Sequence, residues 1–268
     1  MNGLLAIIGG TGVDWRDENS PLSDAREETI ETRWGNARVT LAQIGKRDIV
    51  FLHRHSPTRE VHLPPHRINY RANIAALKTL GVTGILASTA VGGLHREWPP
   101  GTLVLLDQFI DFTSARDKTF FDERAVHVDS TEPYCARLRN LLLDSARELS
   151  LDLRDGGTYL CADGPRFETP AEIKIFQSWN AEVVGMTGVP EVVLAREANI
   201  SYAGVSIVTN AAAGILPQAL TQSEVLQAMR AALPQVTQLF LRVATHYEDD
   251  PQAPSRNVTA EYNFPDVT

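Results

Sequence analysis

The chain has 268 residues, 43% of them apolar and 22% charged, which excludes global disorder and allows one large buried core. Its net charge of −8 argues against a sequence-independent grip on nucleic acid, and no apolar run is long enough to span a bilayer. Neither a nucleic-acid nor a membrane partner is expected.

Met1-Asn2-Gly3 passes directly into an apolar run with no basic region or small-residue cleavage site, so no signal peptide is expected. The first predicted strand, 4–8, is continuously apolar, as strands covered on both faces are. Further strands are predicted at 37–43, 48–52, 83–87, 102–106, 157–161, 181–184 and 202–208. Helical periodicity joins Tyr70, Ile74, Leu77 and Leu80, with Gly81 placed to end that helix. A second helix follows Leu138, Leu141, Leu142, Ser145 and Leu149. Thr169-Pro170-Ala171-Glu172 and Thr221-Gln222-Ser223-Glu224 both carry the capping-box pattern. The second opens a long amphipathic stretch towards Tyr247, which Pro234 is expected to kink or split.

Alternating strands and helices imply a single α/β domain over 1–245, with a mixed, largely parallel central sheet flanked by helices. Residues 246–268 are polar and Pro-containing, and read as a loose tail or surface arm. Cys135 and Cys161 are too few for a disulfide framework and fit no zinc spacing. Both are expected to be buried and reduced, in a cytoplasmic protein.

Several strand ends carry candidate chemistry. Gly9-Gly10-Thr11-Gly12 follows the first strand and suits either a backbone anion cradle or a plain strand-ending turn. Arg54-His55 ends the apolar strand before it; the pair suits a phosphate, or belongs to a solvated basic loop with Arg59, His62, His66 and Arg67. Ala87-Ser88-Thr89-Ala90-Val91-Gly92-Gly93 places hydroxyls and glycines at the carboxyl end of a strand, the edge where open parallel sheets bind ligands. Gly164-Pro165-Arg166-Phe167-Glu168-Thr169 offers an aromatic face and a carboxylate, unless Phe167 is core and Glu168 only an exposed acid at a helix start. Gly185-Met186-Thr187-Gly188-Val189-Pro190-Glu191 joins a strand to a helix. Val208-Thr209-Asn210-Ala211-Ala212-Ala213-Gly214 ends the last strand, where Asn210 either reads a purine edge or caps a turn.

In this order, from Ala6 to Gln227, these segments resemble the trimeric purine nucleoside phosphorylase and methylthioadenosine phosphorylase family. The resemblance implies the phosphorylase-type fold and a homotrimer. It places Thr11, Arg54, His55, Thr89, Ala90 and Thr187 around inorganic phosphate as co-substrate, Met186 on the ribose and Phe167 on the base. His127 is similar to the residue that neighbouring subunits lend to each other's sites. No metal or organic cofactor is implied.

In the methylthioadenosine branch an aspartate stands in place of Asn210, another acid in place of Ala212 and a small hydroxyl residue in place of Glu168. The Glu168–Asn210 pair is instead similar to the 6-oxopurine enzymes. Such a base offers N1–H to Glu168 and O6 to the Asn210 amide; a 6-aminopurine reverses both, at roughly 1–3 kcal/mol per unpaired group. At the 5′ end, Gln222 suits a hydroxyl, whereas Val225 and Leu226 suit a methylthio group. The runs His66–Asn73 and Thr131–Tyr134 resemble the bacterial S-methyl-5′-thioinosine phosphorylases, so methylthioinosine is the expected substrate, with inosine and guanosine as the alternative. The loop 56–62 is longer than in the methylthioadenosine enzymes, so no role is carried over to His62. A nucleoside hydrolase, a non-catalytic nucleoside sensor and a purely structural trimer are the rival readings.

Overall fold

A computed structural model describes residues 3–10, 22–217 and 222–267. Its centre is β1 (Leu4–Gly9), whose apolar run faces two cores at once. Ala6 and Ile8 pack into one with α1 (Tyr70–Thr79) and α4 (Glu191–Glu197). Leu5 and Ile7 pack into the other with α2 (Ala136–Glu148) and α5 (Gln222–His246). Each fully buried Leu or Ile contributes about 1.5–3 kcal/mol. An unbroken apolar strand is the form this two-sided burial requires.

The remaining strands are β2 (Ser23–Thr32), β3 (Gly35–Ile44), β4 (Arg47–His53), β5 (Val82–Gly93), β6 (Leu103–Leu105), β7 (Gln108–Phe112), β8 (Leu153–Asp155), β9 (Thr158–Ala162), β10 (Val183–Gly185) and β11 (Ser201–Ala211). All belong to one mixed sheet in the order β2-β3-β4-β1-β5-β10-β9-β7, with β11 branching from β5 and carrying β6 and β8. Parallel pairs join β1 to β4 and β5, β5 to β11, β9 to β7 and β10, and β6 to β8. The chain is thus a single α/β domain of the expected class.

Three strands escaped the sequence reading. Strand β2 (SDAREETIET) is an outer strand with no buried residue, so its composition resembles a solvated loop. Strands β7 and β8 are five and three residues long and largely exposed. Such short, exposed segments become strands by pairing with a neighbour already in place.

Between β9 and β10, α3 (Pro170–Ser178) begins with the predicted capping box: Thr169 Oγ1 accepts from the Glu172 amide, and Glu172 accepts from the Thr169 amide. Gly81 follows the last turn of α1 as expected. The second capping box begins at Thr221, outside the described residues. Helix α5 runs unbroken across Pro234 and is not split there. Its buried face, including Met229, Val236, Leu239 and Phe240, packs on the sheet on both sides of the proline and offsets the lost hydrogen bond.

Both cysteines are buried. Beyond α5 the chain is an arm laid along the body. Ser255 and Thr259 are buried, Thr259 Oγ1 donates to the Glu197 carbonyl (2.8 Å), and the Arg33 amide donates to the Val267 carbonyl (2.7 Å). Among the described residues no helix is long and apolar enough to cross a membrane.

Candidate active site

At the carboxyl ends of β4, β9 and β10, and along the last residues of β5 and β11, the chain encloses a cavity of about 480 Å³. This is where a largely parallel sheet exposes unused backbone groups and loops to a ligand. Arg54, His55, Thr89, Ala90 and Thr187 line one region of its wall. Phe167, Glu168, Met186, Asn210 and Ala212 line the same cavity, as do Val225 and Leu226 from α5. Residues from six separate stretches of sequence therefore meet in one cavity.

Arg54 follows β4 into the cavity floor with its side chain wholly buried. Its Nε and Nη2 donate to the two carboxylate oxygens of Glu191 (2.7 and 2.8 Å), and Nη1 donates to the Ser88 carbonyl (2.7 Å). The Tyr202 hydroxyl also donates to Glu191 (2.8 Å). Burial opposes the guanidinium charge, but the Glu191 carboxylate outweighs it and holds Arg54 charged above its ordinary range. Three of five N–H groups are used, so two remain for an anion. Gly10 touches this arginine: a Cβ there would lie 2.8 Å from Nη1 and 3.0 Å from the Ser88 carbonyl, so only glycine fits. Thr11, the next residue of that turn, lies outside the described residues.

His55 is buried, and its Nδ1 lies 2.9 Å from the Leu63 carbonyl. A carbonyl only accepts, so Nδ1 carries the proton and donates. Burial pushes the imidazole down to about 4, leaving it neutral with Nε2 as an acceptor. His62 stacks on it with ring centroids 4.8 Å apart and 10° between planes, and also lines the cavity. Sequence gave His62 no role; its packing becomes visible only when the 56–62 loop folds back on β4.

Thr89 Oγ1 pairs with Ser206 Oγ across β5 and β11 (2.8 Å). The amides of Thr187 and Gly188 donate to the Tyr159 hydroxyl (3.1 and 3.2 Å), which fixes the loop after β10. Gly164 has φ +65°, and a Cβ on it would lie 2.5 Å from Met186 Sδ. The two loops that carry Glu168 and Met186 are therefore in direct contact because residue 164 has no side chain.

Glu168 is half-buried, and burial raises its carboxyl above the ordinary 4.5. The Thr209 hydroxyl donates to Asn210 Oδ1 (2.8 Å), and Asn210 Nδ2 donates to the Ala211 carbonyl (2.9 Å). One amide N–H of Asn210 remains available. Phe167 is 42% exposed and stands at the cavity mouth. Three residues expected at the site are not gathered here. His127 is exposed on the loop after residue 121 and does not line the cavity of its own chain. Gln222 begins α5, but its side chain, like Thr11, is outside the described residues.

The pairing of Arg54 with Glu191 was not legible beforehand, although Pro190-Glu191 stood out as part of a motif. Glu191 and Arg54 are 137 residues apart, and nothing local links them.

The family model of the phosphorylase superfamily matches residues 5–245. A 6-oxopurine nucleoside phosphorylase of Pyrococcus furiosus is 46% identical over 245 residues, covering 88% of this chain and 90% of that one. A probable S-methyl-5′-thioinosine phosphorylase of Methanopyrus kandleri is 44% identical over 239 residues, covering 89% and 90%. Among solved structures, methylthioadenosine phosphorylase from Schistosoma mansoni in complex with adenine superposes with a TM-score of 0.87 at 30% identity, covering 96% of each chain. With a strand-end cavity that gathers a buried arginine, hydroxyls, a carboxylate and a carboxamide, the chain belongs to the phosphorylase superfamily.

Proposed function

We propose that the protein cleaves 6-oxopurine nucleosides by phosphorolysis, with S-methyl-5′-thioinosine as preferred substrate. The observation that carries this reading is the pairing of Glu168 with Asn210 in one cavity with the buried Arg54. Two of the relatives are named for 6-oxopurine and methylthioinosine substrates. Inorganic phosphate is held by the remaining Arg54 donors, the hydroxyls of Thr89 and Thr187, the backbone at Ala90 and, from outside the described residues, Thr11. Neutral His55 accepts a proton-bearing phosphate oxygen at Nε2.

Phosphate oxygen attacks C1′ from the face opposite the base as the C1′–N9 bond breaks. The bonding electrons pass to the purine, and the ribosyl centre carries cationic character next to the phosphate charge. Glu168 accepts from N1–H, and Asn210 donates to the oxygen on which charge develops. The purine then takes a proton from water, and the hydroxide left takes the proton of the phosphate group, giving free base and the pentose 1-phosphate. Holding both substrates in one cavity supplies much of the acceleration. Met186 packs on the ribose, and Phe167 covers the base. No metal or organic cofactor takes part.

His127, exposed and outside its own cavity, serves a neighbouring subunit of a homotrimer. The exposed aromatic side chains Phe112 and Trp179, beside the outer strand β7, support an assembly. The reading carries with it a cytoplasmic enzyme of purine salvage.

Because burial raises Glu168, its carboxylate is lost as pH falls through a value above 4.5. The kcat/KM for inosine should therefore decline on an acid limb centred above 4.5, and Glu168→Gln should remove that limb along with most activity. A limb that persists in the variant assigns it to another group.

Substrate preference is tested by base release from methylthioinosine, inosine, guanosine and methylthioadenosine. Higher kcat/KM for methylthioinosine than for inosine supports Val225 and Leu226 as the 5′ wall. The reverse order assigns the 5′ end to Gln222 and a hydroxyl.

A further inference from the structure

Arg116, on the segment after β7, has a side chain only 3% exposed and does not line the cavity. Its nearest carboxylate, Asp163, stands 3.7 Å from Nε and instead accepts from the amide and hydroxyl of Ser114. The two terminal nitrogens of Arg116 donate to the loops around the site. Nη2 donates to the carbonyls of Ala162 and Asp163 (3.2 and 3.0 Å), where β9 hands over to the loop carrying Phe167 and Glu168. Nη1 donates to the Val189 carbonyl (2.6 Å), in the loop that runs from Met186 to Glu191. Nη1 also donates to the Tyr70 hydroxyl (3.1 Å), and the guanidinium lies over that ring, 5.2 Å from its centroid. Tyr70 in turn donates to the Pro65 carbonyl (3.0 Å), with the Met186 carbonyl 3.4 Å away.

One buried cation thus ties together three chain segments that line the cavity from different sides. A buried guanidinium without a bonded carboxylate is costly unless several oriented carbonyls share its charge. Here those carbonyls belong to the loops themselves. The planar fork sets the spacing between them; a lysine ammonium, a single point of charge, does not.

Resting on the base-reading role proposed for Glu168, we infer that Arg116 is a positioning residue for the reaction, fixing the loop that carries Glu168 against the loop that carries Met186 and Thr187. It touches neither base nor phosphate. It sets the distance between the group that reads the base and the groups around ribose and phosphate, which must hold while the ribosyl centre moves from one to the other.

The test is the ratio of kcat/KM for inosine to that for adenosine, measured in the unsubstituted enzyme, Arg116→Lys and Tyr70→Phe. A residue that only stabilises the fold lowers both rates by the same folded fraction and leaves the ratio unchanged. Displacement of Glu168 lowers the inosine rate more. Arg116→Lys is expected to lower the ratio by roughly tenfold, since a misplacement near 1 Å costs on the order of 10²-fold in rate. Tyr70→Phe, which keeps the Arg116 contacts to Ala162, Asp163 and Val189, should lower it by about threefold and serves if the lysine variant does not fold. An unchanged ratio in every folded variant overturns the inference. Absence of any inosine preference in the unsubstituted enzyme would instead remove the Glu168–Asn210 reading on which it rests.

Discussion

Replacing Glu191 by alanine should lower folding stability by about 3–5 kcal/mol, because it leaves Arg54 as an uncompensated charge in the core. Both side chains are 0% exposed, so neither charge is solvated at the protein surface. The substitution also orphans the Tyr202 hydroxyl, whose acceptor is Glu191 Oε1. Glu191→Gln keeps one acceptor oxygen but loses the charge and one arm of the fork, so a smaller loss is expected. Denaturant unfolding at fixed protein concentration measures both. A loss under about 1 kcal/mol for the alanine variant would show that the pair is not the strut it appears in the fold. Stability and function separate in the double variant Arg54→Met/Glu191→Leu. An apolar pair of similar volume can match a buried ion pair in stability. Stability should largely return, whereas saturation by phosphate should not.

The second large effect falls on Asn210. It is half-exposed and, among the described residues, bonded only to its neighbours Thr209 and Ala211, so truncation to alanine should change stability little. Its proposed task is to donate to the purine as charge accumulates there. Removing one such donor should lower kcat by roughly 10²–10³-fold. Nucleoside KM should move much less, since the donor acts mainly in the transition state. Asn210→Asp keeps the shape but replaces the donor by an acceptor, so selectivity should shift towards 6-aminopurines. Unchanged selectivity in the aspartate variant would contradict the placement of Asn210 at the base.

What could be read in the sequence follows from how local each signal is. The buried strands were legible because apolar runs such as 4–8 and 202–208 are dictated by burial on both faces. The α3 capping box was legible because Thr169 and Glu172 are three residues apart. By contrast β2 has the composition of a loop and is a strand only because β3 lies beside it. The same limit holds at the site. The motifs gave most of the cavity wall, since each is a strand end with a recognisable loop. The Arg54–Glu191 pair, the His55–His62 stack and the Arg116 fork join distant segments, and no spacing rule reveals them. Pro234 shows the converse: a strong local breaker overridden by packing along both halves of α5.

The most direct measurement is the fate of the sugar when purified protein is given inosine or methylthioinosine with and without inorganic phosphate. The expected result is phosphate-dependent release of hypoxanthine, with one pentose 1-phosphate formed per base and no free sugar. Release of free base and free sugar without phosphate would contradict phosphorolysis and make the protein a hydrolase. Nucleoside binding with no release under either condition would leave a binding protein in place of an enzyme.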